Sequence, residues 1–180
     1  MKSFPLNRTT AVLCVAIGAA LMCSAPAYAA GTANSNLAVN ASVASNCTIT
    51  TAAVAFGAYD PIVTNAATAL TGNGSITIAC TKASVPTLKL DLGATPAGSV
   101  RQMASGAERL PYELYQPLTN VAGAACASGT VWGTAVGNIL TTVAAPSKAA
   151  RTYNVRGSIP GGADVAVGAY ADTVIATVTF

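Results

Sequence analysis

Glu108 and Glu113 are the most closely spaced of the six acidic residues in this chain, and so its first candidates for general acid/base work. A glycosidase pair must converge on one bond from a shared cleft. Side chains five residues apart on a strand point to opposite faces, so the two are read as solvated charges. Gly72-x-Gly74 begins like a phosphate-cradling loop. It lacks a third glycine at Thr77 and precedes a strand-like run, so it is read as a strand-entry turn. Tyr112, Tyr115, Trp132, Tyr153 and Tyr170 have the chemistry to line a sugar site. Such residues more often fill a sandwich core or make a tyrosine-corner contact. No His is present to activate a Ser or Cys nucleophile or to ligate zinc. No catalytic, metal-ligating or cofactor-binding residue is assigned, and neither an enzyme nor a cofactor is expected.

Composition narrows the class further. Of 180 residues, 8% are charged and 52% apolar, against about 25% charged in an ordinary soluble domain. Lys82, Lys89, Arg101, Arg109, Lys148, Arg151 and Arg156 are dispersed rather than clustered, so no nucleic-acid partner is expected. The first 29 residues differ in character. Lys2 and Arg8 precede an apolar run over residues 11–22, and Ala27-Tyr28-Ala29 follows. The run is too short to span a bilayer, and the pattern predicts a signal peptide over 1–29, cleaved after Ala29. Removing 29 of the 180 residues leaves 151, with seven basic residues against six acidic. Cys14 and Cys23 leave with the signal. Of Cys47, Cys80 and Cys126, the first two each sit at an end of a strand-like run, which favours them as a disulfide and leaves Cys126 free.

The elements that must position these residues are strands. Residues 33–47 alternate, with Leu37, Val39, Ala41 and Val43 on one side and Asn36, Asn40 and Ser42 on the other, which predicts a half-buried strand. Further strands are expected over 48–56, 75–80 and 87–92, the last with Leu88, Leu90 and Leu92 on one face. Residues 94–107 read as a long connection. Leu110, Tyr112 and Leu114 share a face over 110–115, and little can be placed over 117–150 beyond a short segment around Trp132. Residues 151–159 alternate with Tyr153, Val155 and Gly157 inward. A last strand over 168–180 carries Val174, Ala176, Val178 and Phe180 on one face. No segment has a helical period, so an antiparallel sandwich follows. The chain stops inside its last strand, and its first is separated from the next by only Ser45 and Asn46, as an extended arm would be.

The strand ends form a familiar set. Phe56-Gly57-x-Tyr59-Asp60-Pro61 follows Cys47; Gly72-x-Gly74 and Cys80-Thr81 come next. Arg101-x-Met103, Leu110-x-Tyr112-x-Leu114-Tyr115 and Trp132-Gly133 lead to Gly168-x-Tyr170-x-Asp172-Thr173-Val174 and a terminal Phe180. Over about residues 36–180 the chain resembles the spore coat protein U domain family, which includes pilin subunits of archaic chaperone–usher pili. The resemblance implies an incomplete immunoglobulin-like antiparallel β-sandwich lacking its last strand, over 47–180, preceded by an N-terminal extension over 30–46. It implies the Cys47–Cys80 disulfide and leaves Cys126 unexplained. It also implies donor-strand complementation: Leu37, Val39, Ala41 and Val43 of one subunit fill a groove beside the terminal strand of another, at Tyr170, Val174, Ala176, Val178 and Phe180. A periplasmic chaperone fills that groove first, and an outer-membrane usher exchanges it for the arm of another pilin. The expected role is a surface pilus or fimbria serving adhesion and biofilm formation, exported to the periplasm and then to the cell surface. A spore or cell-surface coat protein of the same fold, and a monomeric secreted carbohydrate-binding sandwich, are the competing readings.

Overall fold

The structure is a computed structural model that describes residues 30–180; the expected signal peptide, residues 1–29, lies outside the described residues. The chain divides between Asn40 and Ala41 into two units. Residues 30–40 of the first have no regular secondary structure, and Leu37 and Val39 are exposed. The second unit, Ala41–Phe180, is an antiparallel β-sandwich of immunoglobulin-like type.

Nine strands build it: β1 (Cys47–Ala55), β2 (Leu70–Cys80), β3 (Thr87–Leu90), β4 (Arg101–Ser105), β5 (Glu108–Pro117), β6 (Cys126–Val131), β7 (Leu140–Thr141), β8 (Arg151–Ile159) and β9 (Ala176–Thr179). One sheet has the order β1-β2-β8-β5-β4, with β6 also on β5; the other has the order β7-β3-β9. The apolar faces of β2, β3, β5 and β8 turn into the space between the sheets. Ile76 and Ile78 from β2, Leu88 and Leu90 from β3, and Leu110, Tyr112 and Leu114 from β5 meet Trp132 and β8's Tyr153, Val155 and Ile159. Period-two alternation brings these side chains to one side of each sheet. The disulfide Cys47–Cys80 joins β1 to β2 where the two strands start and end. It closes a loop of 33 residues; replacing both cysteines by serine is expected to cost about 3–4 kcal/mol in urea unfolding. The expectation fails if reduction leaves the midpoint unchanged.

Several sequence expectations change. The alternating segment 33–47 is not a half-buried strand: 30–46 lacks strand structure, and the first strand begins at Cys47. Alternation prepares a face for burial but does not supply the neighbour that would bury it. Residues 94–107 are not simply a connection, because β4 lies within them and pairs with β5 from Arg101↔Tyr112 to Ser105↔Glu108. Gly72 and Gly74 lie inside β2 rather than before it. The last strand is shorter than expected, Ala176–Thr179, and Phe180 lies beyond it, half exposed. Upstream, Ile175 N–H donates to the Asp91 carboxylate rather than to a ladder carbonyl.

Candidate functional site

The sandwich has two open edges on one side. Among the described residues, β1 pairs only with β2, and β9 pairs only with β3. Asp91 N–H donates to Ile175 O at 3.1 Å. Antiparallel alternation then turns the backbone groups of Ile175, Thr177 and Thr179 toward β3, and those of Ala176 and Val178 away from it. Among the described residues, no strand takes up that outer row. An unpaired row of this kind is a template for a further strand.

Between these edges lies an apolar groove of about 490 Å³. Thr51 to Val54 form one wall, and Tyr170 to Val174 with Ala176 the other. Ile76, Leu90, Tyr112, Leu114 and Val155 of the core make the floor. A second hollow of about 790 Å³ continues it toward Tyr59, Pro61 and residues 165–170. The floor residues are themselves buried, so the groove lies over a covered core.

Polar contacts hold each wall. Tyr112 hydroxyl donates to Asp172 Oδ2 at 2.6 Å, while Asp172 Oδ1 accepts the N–H groups of Ala94 and Thr173, each at 2.8 Å. Asp91 Oδ1 accepts from Gly93 and Ile175. Position 93 has φ +79°, and a Cβ there would fall 1.9 Å from Asp172 Oδ2, so only glycine fits. The opposite wall rests on a glycine trough: a Cβ on Gly157 would lie 2.4 Å from the Phe56 ring, and one on Gly74 2.7 Å from a Val54 methyl. Tyr59 hydroxyl donates to Pro160 O and accepts from Ala163 N–H, tying the far end of the groove to the loop after β8.

Behind the floor, the Arg101 side chain is fully buried. Its guanidinium pairs with Glu113 and donates to the carbonyls of Asp91, Leu90 and Trp132, so it joins the two sheets. Trp132 is completely buried, and its indole N–H donates to Leu88 O. Burial, then the Asp172 hydrogen bond and charge, push the Tyr112 hydroxyl far above the usual phenol range. The folded state therefore holds this proton where the unfolded chain, with the ordinary value of 10.0, releases it. Its contribution to stability is intact below about pH 10 and falls as pH rises beyond it. Tyr112→Phe is expected to flatten this alkaline decline in urea unfolding between about pH 8 and 11; an identical slope would contradict it.

The sequence-predicted residues distribute as follows. Tyr170, Val174 and Ala176 line the groove. Val178 is half-buried against the core, and Phe180 lies outside. Leu37, Val39, Ala41 and Val43 are exposed on residues without strand structure. Tyr112, Trp132 and Tyr153 belong to the core, so the aromatics do not assemble an open sugar platform. Glu113 is not a solvated charge but the partner of Arg101. Cys126 is free, as expected; its thiol donates to Asn154 O, and burial pushes its pKa up. Phe56 and Met103 as groove residues were not foreseen, although both stand in the motifs singled out above.

Comparison with known proteins places this arrangement. The family model described as Spore Coat Protein U domain matches residues 33–177. The chain belongs to the spore coat protein U domain family. The chain is 36% identical to "Protein U" of Myxococcus xanthus over 185 residues, covering 95% of this chain and 97% of that one. Its fold is also that of a chain in the crystal structure of the CsuC–CsuE chaperone–tip adhesion subunit pre-assembly complex, from archaic chaperone–usher Csu pili of Acinetobacter baumannii. The TM-score is 0.54 at 21% identity, over 77% of this chain and 40% of that one. At that identity the likeness is one of fold. The Phe56-to-Pro61 and Tyr170-to-Val174 motifs that carried the resemblance are here the groove's walls and their anchors.

Proposed function

We propose that this U domain is an exported structural subunit that polymerises by donor-strand complementation into a surface pilus serving adhesion and biofilm formation. The observation that carries the reading is the groove bounded by two unpaired strand edges, in a chain that also has an exposed alternating apolar segment. An inserted strand takes up the outward backbone groups of β9 and covers the floor with side chains at every second position. Leu37, Val39, Ala41 and Val43 supply that set. Some Cα pairs of β1 and β9 come within 8 Å, whereas a strand between two neighbours needs about 9.5 Å, twice the ladder spacing. Insertion therefore moves these strands apart.

An open groove flanked by unpaired strand edges is an aggregation hazard before assembly. A periplasmic chaperone that fills it temporarily, and an outer-membrane usher that exchanges it for another subunit's arm, complete the reading. The neighbour of like fold was solved in a chaperone–tip adhesion subunit pre-assembly complex, which supports the chaperone partner. A coat protein built by the same strand exchange is the second reading, favoured by the family's description. Neither has an enzymatic role. Deleting residues 30–45 is expected to leave the sandwich's circular dichroism intact and abolish oligomers in size-exclusion chromatography. Fibres from the truncated chain would refute the reading.

A further inference from the structure

The groove is not uniform along its length. Its two hollows share four lining residues, Val54, Phe56, Met103 and Tyr170. These side chains therefore stand between the hollows. The neck they form has little room to retreat. The Phe56 ring meets the Tyr112 ring edge-on at 6.2 Å, and the backbone of Gly157 lies directly beneath Phe56 and Val54. Tyr170 is held by its hydroxyl on Ala166 O at 2.7 Å.

The alternating segment has a matching shape. Its inward set is Leu37, Val39, Ala41 and Val43, in which one small residue sits between two larger ones. Val39 and Val43 are four positions apart, about 13 Å along an extended strand. That spacing puts one bulky side chain on each side of the small one, as a groove with one neck between two hollows requires.

Resting on the donor-strand reading, we infer that the neck of Val54, Phe56, Met103 and Tyr170 sets the register of the inserted strand by admitting Ala41 of a second copy, with Val39 and Val43 in the hollows on either side. The neck is a specificity device: it rejects bulk at one position while the hollows reward it at the next. A slip by two residues puts a valine into the neck and loses both fits. This also explains why an alanine interrupts an otherwise large apolar set. A featureless apolar groove would favour a larger residue at 41, because more apolar area would be buried.

The two cases differ in sign. The test titrates the full chain into a fluorescently labelled synthetic peptide of residues 34–46 and follows anisotropy. Ala41→Val in the peptide is expected to weaken binding about tenfold or more, through overpacking at the neck. Met103→Ala in the chain is expected to close most of that gap. Equal or tighter binding of the Ala41→Val peptide overturns the neck while leaving the donor-strand reading in place. A gap that Met103→Ala does not narrow overturns it too. If the native peptide does not bind at all, the donor-strand reading itself falls, and the neck with it.

Discussion

Glu113→Ala is expected to cost about 3–5 kcal/mol of unfolding free energy, the range for leaving one member of a buried ion pair alone. The Arg101 side chain is fully buried, and that of Glu113 is 25% exposed. The remaining guanidinium bonds go to carbonyls of Asp91, Leu90 and Trp132, which do not neutralise it. Glu113 also accepts the Leu114 N–H, so alanine removes two interactions. The effect reaches the groove because Leu90 and Leu114 both belong to its floor. Urea unfolding followed by fluorescence gives a clean readout, since Trp132 is the single tryptophan and is completely buried. The double variant Arg101→Met, Glu113→Leu should recover most of the loss, because apolar replacement of both partners removes the unpaired charge. A single-variant loss below about 1 kcal/mol would mean that water satisfies Arg101 and that the inter-sheet clamp is weak.

Val174→Asp is expected to separate folding from assembly. Val174 is half-buried and lines the groove. In the free subunit an aspartate there stays hydrated, because the groove is open. Seating a strand over it strips that water from a charge with no cationic partner, which should weaken self-association by about 100-fold or more. The subunit's own unfolding midpoint should move little. Val136→Asp is the control: Val136 is 99% exposed and should affect neither quantity. Sedimentation over a concentration series reads the first effect, and urea unfolding the second. Equal self-association of the two variants would remove the groove from the assembly interface.

Much of the sandwich was readable because a strand with one buried face writes period two into its residues. Leu88 and Leu90, Leu110, Tyr112 and Leu114, and Tyr153 and Val155 all follow that rule and all are buried. β4 escaped because its buried position is Arg101, whose burial depends on Glu113 from the neighbouring strand, a non-local condition. β6, with the sequence CASGTV, has no apolar alternation to read. Gly72 and Gly74 looked like turn residues because glycine signals turns locally; here they make room for β1's Val54 and for Phe56, which follows it. The last strand was overextended because Thr173 and Ile175 carry a strand-like pattern while their N–H groups bond to carboxylates.

The candidate site was readable in part. The terminal motif Tyr170-x-Asp172-Thr173-Val174 drew attention by its resemblance, and the structure supplies the physical reason: Asp172 caps Ala94 and Thr173 and takes the Tyr112 proton bond. The groove was implied by the resemblance but could not be read from the residues alone, because it is an absence, a missing neighbour between β1 and β9. Alternation over 33–47 was visible, but the sequence is the same whether its partner is in this chain or in another.

The decisive measurement therefore mixes two crippled subunits. One lacks residues 30–45 and keeps the groove; the other carries Val174→Asp and keeps the arm. Mass photometry of each alone should find monomers, and of the mixture heterodimers that grow no further, since each pair uses its one intact arm in its one intact groove. Longer oligomers from the arm-deleted subunit alone, or no heterodimer on mixing, would contradict assembly by strand donation.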